Sequence, residues 1–528
     1  MIFPTIEFAA FLAVVMTASW LLMPRPRLWK PFILAASYFF YGFADARFVL
    51  LLVASTLLNQ AAAHAAHRLR DRRVLLAAVA CDLGLLGWFK YYGFFALSVD
   101  RALADVGLPA PLPLVQVALP VGISFFTFQA ISYVVDVHRG NSAPAPLLDF
   151  AVYEAFFPHL VAGPIVRASE FLPQLTSPRD PRRVPLARAA FLIVGGLAKK
   201  VVLADVLAAR LVDPVFDAPG QHSSAEVLTA VYGYAVQIYC DFSAYSDMAI
   251  GIALLLGFRF PDNFDRPYAS SSLREFWRRW HMTLSRWLRD HVYLPLGGNR
   301  RGPRRTCVNL LVTMTLGGLW HGASWTFVLW GALHGTALAL ERRWRPHRPG
   351  GPGPAVPAVS AGTTTATDPG ADGHGPALPR QRVDGGDGGS LLTTARPVVT
   401  TEPATPAATP AVARRVLARQ WVARLAVFHF VCATWVLFRA PDLATAGAVF
   451  ARLVSAPGPA PLVTPAVVLA IVAGLATAAV PRAWWAAGQA RFARLRPPAQ
   501  IALLTCAVMV LYAAVGQHEV APFIYFRF

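Results

Sequence analysis

The chain has 528 residues, of which 55% are hydrophobic and only 15% are charged. Soluble domains carry about 25% charged residues, so this composition excludes a soluble globular enzyme, a disordered protein and a fibrous repeat. The formal charge of +19 is explained by arginines in loops beside membrane spans, whereas nucleic-acid binding would need a basic-aromatic module that is not recognisable here. The sequence therefore predicts an all-α polytopic membrane protein that lies in a lipid bilayer and binds no nucleic acid.

Apolar segments long enough to form membrane helices recur along the chain. The first, from Phe8 to Met23, precedes the first cations, which predicts an uncleaved span with its N-terminus outside. Further apolar segments lie at 31–45, 47–65, 74–98, 114–136, 189–212, 225–257, 307–341, 421–438, 463–480 and 500–516. Two more segments, 148–166 and 271–296, are ambiguous.

Basic residues constrain the course of segment 148–166. Arg139 precedes it and a basic cluster that begins at Arg179 follows it. If both are cytoplasmic, the segment must enter the membrane and return, or lie in the interface. Pro158 and Pro164 interrupt a helix here, and irregular backbone is tolerated at membrane depth only when it is buried in protein or lines a cavity.

Segment 307–341 is also flanked by arginines on both sides. Its 35 residues exceed the roughly 20 that one crossing requires. We therefore expect two elements, with a bend near Gly317–Gly318 and with His321 just after the bend, inside the membrane.

Residues 346–411 differ in composition from the rest of the chain. They are rich in Pro, Gly, Thr and Ala, a composition that cannot bury a core and that predicts a disordered linker on the cytoplasmic side. The linker separates a transmembrane part, residues 1–345, from C-terminal transmembrane helices in residues 412–528.

The segment 273–302 combines an apolar stripe with many arginines. Apolar residues recur every three or four positions from Leu273 to Leu288, which predicts one amphipathic helix. Arg278, Arg279 and Arg286 cover its other faces. They either anchor the helix to lipid headgroups or attract a phosphate-bearing cosubstrate. His281 borders the stripe.

Two further segments place polar residues inside apolar surroundings. In LGGLWHGASWTFVLWGALHG, His321 lies among small residues beside Trp320, and an intramembrane histidine indicates either a functional site or a polar contact between helices. In YCDFSAYSDMAIG, Asp241 and Asp247 interrupt a helix. They are six residues apart, so they do not share one helix face and a paired-carboxylate mechanism is not expected.

His159, in FFPHLVAGPIV, is a candidate lining residue of a cavity or a structural residue. The chain has no Walker A loop, no GxSxG motif, no HExxH motif and no cysteine spacing that suits a metal. ATP hydrolysis, serine hydrolysis and metal chemistry are therefore not predicted.

Five blocks carry a resemblance to a known family: LPVGISFFTFQAISYVVDVHRG, FFPHLVAGPIVR, DFSAYSDMAIGIALLLGFRFPDNFDRPY, REFWRRWHMTLSRWLRDHVYLPLGGNR and LGGLWHGASWTFVLWGALHG. In this order they resemble the membrane-bound O-acyltransferase superfamily, and within it the membrane subunits of alginate O-acetyltransferases. The resemblance implies that fold, with re-entrant elements around a central cavity and with the C-terminal helices completing the acyltransferase core.

The resemblance also implies roles. His321 matches the family's catalytic histidine and would take a proton from the attacking hydroxyl. His281 would orient His321 or the donor, or stabilise the oxyanion. Arg278, Arg279, Arg286, Trp320, His159, Asp241 and Asp247 are candidate donor- or substrate-binding residues.

The implied reaction moves an acetyl group from a cytoplasmic donor, acetyl-CoA, towards hydroxyls of an alginate-like exported polysaccharide. No bound cofactor is implied. Transfer is direct or passes through an extracytoplasmic acetyltransferase partner, and the enzyme would lie in the inner (cytoplasmic) cell membrane. Two alternatives remain open at the level of sequence. One is a proton-coupled transporter, in which the intramembrane histidines relay protons together with Asp241, Asp247, Lys199 and Lys200. The other is a D-alanyl or fatty-acyl transferase of the same superfamily.

Overall fold

The computed structural model shows a helical protein, and the part of the chain that it describes contains helices and no strands. This confirms the predicted all-α fold class. The described residues are 3, 5–43, 45–108, 113, 115, 117–344, 410–515 and 523. Almost all of the predicted linker, 346–411, lies outside them.

The α-helices follow one another in short connections and are numbered here in chain order. They are α1 (Ile6–Leu22), α2 (Pro26–Gly42), α3 (Arg47–Leu69), α4 (Arg72–Leu86), α5 (Tyr92–Ala104), α6 (Ile123–His138), α7 (Leu147–Ala155), α8 (Phe157–Leu160), α9 (Ala168–Leu175), α10 (Leu186–Ala198), α11 (Asp205–Leu207), α12 (Asp213–Asp217), α13 (Ser224–Leu255), α14 (Leu273–Arg279), α15 (Met282–Leu288), α16 (Gly302–His321), α17 (Trp325–Trp344), α18 (Pro410–Arg439), α19 (Leu443–Ser455), α20 (Pro465–Ala479), α21 (Arg482–Ala493) and α22 (Pro497–Val515). Wider π-helical turns occur at Gly87–Tyr91, Lys199–Ala204, Ala208–Val212 and Arg289–Tyr293.

Several helices have the length and composition of membrane spans. Within the described ranges, four qualify, or five if the bent pair of α20 and α21 counts as one span. The four are Arg47–Leu69, Arg72–Ala104, Ser224–Leu255 and Leu417–Arg439. The protein is therefore a multi-pass membrane protein.

Helix α13 forms the centre of the fold. It begins with a capping box in which Ser223 and Glu226 bond to each other's backbone N–H groups. Its most apolar stretch of 18 residues is 89% buried inside the protein. The described residues up to Trp344 and those from Arg419 onward belong to one compact unit.

Two predictions about helix continuity are wrong. The predicted single helix through Leu273–Leu288 is divided, because the chain leaves helical geometry at Trp280 and His281 between α14 and α15. The predicted bend near Gly317–Gly318 lies instead at Gly322, after His321. Gly317 and Gly318 lie within α16, and α17 packs directly on Gly318, where a Cβ would lie only 2.2 Å from the backbone oxygen of Phe327.

Candidate active site

The loop between α14 and α15 holds His281 in an unusual backbone conformation. His281 has φ 41° and ψ 56°, in the left-handed region that residues with a Cβ enter at a cost of about 1–2 kcal/mol. Two backbone hydrogen bonds of 2.9 Å hold this loop: Met282 N–H donates to Asn263 O, and Asp265 N–H donates to Arg279 O. Strain of this kind persists only where the surrounding structure maintains it, and it is common at functional sites.

The side chain of Asn263 indicates which nitrogen of His281 carries a proton. Thr283 donates to Asn263 Oδ1 from its backbone N–H at 3.2 Å and from its hydroxyl at 2.9 Å, so this atom must be the carbonyl oxygen. His281 Nδ1 lies 3.2 Å from the same oxygen and therefore donates to it. His281 Nε2 is buried and has no hydrogen-bond partner among the described residues. In the neutral ring, this nitrogen carries a lone pair and acts as an acceptor.

His321 lies at the other side of the site. It is the last residue of α16 and is only 3% exposed. The ring centroids of Trp320, Trp330 and Phe438 lie 5.1, 5.3 and 5.1 Å from its own. The His281 and His321 rings are 6.4 Å apart, close enough for one small polar group to hydrogen-bond to both.

Lys90 and Tyr91 hold the end of the helix that carries His321. Lys90 Nζ donates to the backbone oxygens of Trp320 at 2.6 Å and His321 at 3.2 Å. The Tyr91 hydroxyl donates to Leu319 O at 2.9 Å. The last carbonyls of a helix have no partner within it, and a cation there is favourable. Sequence reasoning missed both residues, although a lysine inside the apolar segment 74–98 was an available signal.

Trp320 and His159 have different surroundings. The Trp320 ring lies 5.9 Å from the His281 ring, so Trp320 is part of the site. His159 is fully buried and donates from Nε2 to Tyr153 O at 2.9 Å. Its ring packs beside Phe260, at 5.3 Å. These contacts are those of a packed core histidine.

The two predicted aspartates form ion pairs with different lysines. Asp247 pairs with Lys199 at 2.6 Å, and Asp241 pairs with Lys200 at 2.9 Å. Lys200 also pairs with Asp205 at 2.8 Å. Asp241 and Asp247 thus contact two different lysines.

The three predicted donor-binding arginines do not converge on one point. Arg279 pairs with Glu275 at 2.7 Å, and Arg286 pairs with Glu170 at 2.9 Å. Arg278 is exposed. Two of the three charges are therefore already compensated by carboxylates of the same chain.

The segment that contains both histidines also matches a known protein family. Residues 88–349 match the model of the membrane-bound O-acyltransferase family, a range that contains both His281 and His321. The match covers just under half of the chain, and it supports the family resemblance of the sequence blocks.

Several curated proteins are similar to the chain over part of their length. A probable alginate O-acetylase AlgI of Pseudomonas putida is 44% identical over 316 residues, which cover 59% of this chain and 64% of the relative. A peptidoglycan O-acetyltransferase of Helicobacter pylori is 37% identical over 350 residues, covering 60% and 64%. A teichoic acid D-alanyltransferase of Streptococcus thermophilus is 31% identical over 236 residues, covering 42% and 57%. The chain thus spans less than two thirds of the length of each of these relatives.

Proposed function

We propose that this protein is an O-acetyltransferase of the inner membrane, which moves an acetyl group from cytoplasmic acetyl-CoA towards hydroxyls of an exported, alginate-like polysaccharide. The observation that carries the proposal is the buried pair of His281 and His321, with rings 6.4 Å apart, inside the segment that matches the family. Relatives named for alginate and peptidoglycan O-acetylation support acetyl transfer to a glycan.

His321 acts as the general base in this proposal. An imidazole has an ordinary pKa of about 6.5 and is mostly neutral at pH 7. Its ring accepts the proton of the attacking hydroxyl, the oxygen bonds to the thioester carbonyl carbon, and the C–S bond breaks. The proton then passes from His321 to the departing thiolate, so that the ring returns to its neutral form.

His281 positions the incoming hydroxyl. Because its Nδ1–H is engaged by Asn263, the nitrogen available to the site is the acceptor Nε2. In the neutral ring this nitrogen cannot donate to an oxyanion, which favours the orienting role over oxyanion stabilisation. The acetyl group reaches the polysaccharide directly or through an extracytoplasmic acetyltransferase.

The test uses a strain that lacks the gene, complemented with wild type, His321→Ala or His321→Gln. Mass spectrometry of cell-surface glycans measures O-acetyl groups. Loss of a general base lowers a rate by about 10²–10⁴-fold, so both variants should leave the glycans essentially unacetylated at normal protein levels. The exposed His429 on α18 gives a matched control, His429→Gln. Near-normal acetylation with His321→Gln at equal protein level would refute the assignment.

A second candidate activity is D-alanyl transfer. It is favoured by the similarity to the Streptococcus thermophilus teichoic acid D-alanyltransferase. The reaction would use the same two histidines, because only the acyl group differs. The same mass spectra separate the candidates, since alanyl esters and acetyl esters add different masses to the glycan. Alanyl esters that disappear with the gene, while acetyl esters persist, would replace the first candidate by the second.

A further inference from the structure

A cleft with charged walls lies beside α10 and α13. It has a volume of about 350 Å³ and is also bordered by the loop at residues 262–266 and by α20 and α21. Its lining contains three cationic and three acidic side chains: Arg188, Lys199, Arg266, Asp247, Asp262 and Asp265. Among the described residues, neither His281 nor His321 lines this charged cleft, so it is distinct from the candidate active site.

Four of these six charged groups form ion pairs within the charged cleft. Lys199 Nζ lies 2.6 Å from Asp247 Oδ2. Arg266 Nε lies 3.4 Å from Asp265 Oδ1, and both side chains of this second pair are partly exposed. A charge-assisted N–H···O hydrogen bond usually measures about 2.7–2.9 Å. The second pair is longer than that, which leaves Arg266 and Asp265 able to contact a ligand as well.

The other two charged side chains, Arg188 and Asp262, are exposed in the charged cleft. Arg188 has no salt bridge to a carboxylate in the described part of the chain. A ligand here thus meets a guanidinium group and carboxylates at the same time. This lining suits a zwitterionic ligand, with a phosphate group beside Arg188 and a cation beside Asp262.

Helix α21 indicates that the charged cleft lies at the level of the lipid headgroups. A bend of 93° separates α20 from α21, so α21 runs along the membrane surface if α20 crosses the bilayer. Trp484 is 72% exposed, and Trp485 lines the cleft and contacts Phe191, with ring centroids 5.6 Å apart. Residues 182–188 and 491–496 each contain three arginines. Tryptophan is typical of the membrane interface, and the positive-inside rule places both arginine groups on the cytoplasmic side.

An apolar groove adjoins the charged cleft at Arg266, which lines both. The groove has a volume of about 420 Å³ and lies between α18 and α20. Its walls include Leu425 and Phe428 from α18 and Ala478 from α20, and Leu425 is exposed. A charged cleft that continues into an apolar groove suits a molecule with a polar head and a hydrocarbon chain.

We propose that the charged cleft binds the headgroup of a zwitterionic phospholipid that carries a primary ammonium group, with an acyl chain in the apolar groove. Arg188 contacts the phosphodiester, and the carboxylates of Asp262 and Asp265 accept hydrogen bonds from the ammonium N–H groups. A choline headgroup has no N–H to donate, and a purely anionic headgroup brings no cation to these carboxylates. The charged cleft therefore selects phosphatidylethanolamine from the cytoplasmic leaflet.

The test adds equal amounts of phosphatidylethanolamine, phosphatidylcholine and phosphatidylglycerol, with identical acyl chains, to the delipidated full-length protein in detergent. Native mass spectrometry measures how much of each lipid stays bound. Because hydrogen bonds to charged groups contribute about 1.5–3 kcal/mol, wild type should retain phosphatidylethanolamine at least about tenfold better than the other two lipids. No turnover takes place, so the result does not depend on the proposed acetyl transfer.

Two single variants separate the two halves of the headgroup. Asp262→Asn should lose most of the preference for phosphatidylethanolamine over phosphatidylcholine, because an ammonium acceptor loses its charge. Arg188→Gln should lower the retention of both lipids, because both contain the phosphate. The matched controls are Asp180→Asn and Arg183→Gln, whose side chains are 47% and 89% exposed, 3.8 Å apart, and outside the cleft lining. Both controls should retain lipids as wild type does.

Three results would overturn the proposal. The first is equal retention of phosphatidylethanolamine and phosphatidylcholine by wild type, or a preference for phosphatidylglycerol, which would assign a purely anionic headgroup to the cleft. The second is wild-type retention by folded Asp262→Asn and Arg188→Gln, which would place the lipid elsewhere. The third is release of bound phosphatidylethanolamine by added coenzyme A, which would assign the cleft to an acyl donor.

Discussion

Two buried polar regions of this protein differ in how completely their groups are paired. Beside α13, Lys199 and Lys200 meet aspartates at distances of 2.6–2.9 Å. At the candidate active site, His281 and His321 lie among aromatic rings, and His281 Nε2 has no partner among the described residues. In the first region every lysine and every aspartate named has an oppositely charged partner, whereas the second keeps unused capacity to bind a substrate.

This difference separates structural from functional polar groups, which look alike in sequence. A lysine, an aspartate and a histidine in apolar segments are all unusual and all suggest function. Once folded, a paired group needs no ligand, while a buried polar atom without a partner requires an explanation. The transporter alternative relied on the intramembrane histidines and on Asp241, Asp247, Lys199 and Lys200. The ion pairs give these four charged residues a structural role.

The largest effect is expected when the positive charge of Lys200 is removed from the lysine region. Lys200→Met leaves the carboxylates of Asp205 and Asp241 buried without their cation. Breaking a buried pair from one side costs about 3–5 kcal/mol. We expect a large fall in the yield and thermal midpoint of detergent-solubilised protein, measured by size-exclusion chromatography after heating, with activity per folded molecule retained.

A compensated variant distinguishes unpaired charge from lost packing. Adding Asp205→Asn and Asp241→Asn to Lys200→Met removes the unpaired carboxylates and should restore much of the thermal stability. A wild-type thermal midpoint for Lys200→Met alone would show that these ion pairs contribute little to stability. The structural role given to the lysine region would then be wrong.

The next largest effect concerns the tautomer of His281. Asn263→Ala removes the oxygen that accepts from His281 Nδ1 and from Thr283. Misplacement of a catalytic group by about 1 Å can cost about 100-fold, so we expect a 10- to 100-fold lower turnover with a smaller change in KM. Purified variants assayed for acetyl transfer at equal folded concentration measure this.

Ser246→Ala is the matched control for Asn263. It removes only the partner of the Asn263 side-chain amide, at 3.1 Å, and leaves the carbonyl oxygen in place. Its turnover should therefore fall much less. If both variants lose turnover equally, the proton position of His281 does not explain the effect.

A smaller effect is expected at Lys90, which donates hydrogen bonds to the last backbone carbonyls of α16, beside the candidate active site. A cation at a helix C-terminus contributes about 0.3–1 kcal/mol, and up to about 2 kcal/mol when it is partly buried. Lys90→Met should therefore lower turnover by up to about 30-fold, and Lys90→Arg should restore part of it. Lowered thermal stability with unchanged turnover per folded molecule would make Lys90 a packing residue only.

The smallest effect is expected outside both regions. Deleting residues 350–408 removes a segment whose composition suits a flexible linker and contributes little to packing. Acetylation and yield should stay within about twofold of wild type, as for surface changes of about 0.5 kcal/mol. Loss of folded protein after the deletion would show that this segment has a structural role.

The residues that sequence reasoning found and those that it missed differ in the kind of signal they carry. His281 and His321 are recognisable because each is a rare residue within a family block. Asn263 also lies in such a block, in FRFPDNFDRPY, but an asparagine in a loop is ordinary until its contacts are known. The break at His281 could not be read from apolar spacing, because hydrogen bonds to residues 263–265 replace those of a helix.

The class of protein follows from the amino-acid sequence alone, since the hydrophobic content and the long apolar segments are properties of composition and order along the chain. The sequence also indicates which histidines to consider. The tertiary structure alone shows which charges are paired, which nitrogen of His281 is an acceptor, and that Arg188 and Asp262 share one cleft. These facts depend on contacts between residues far apart in the chain, and local propensity and spacing hold no information about such contacts.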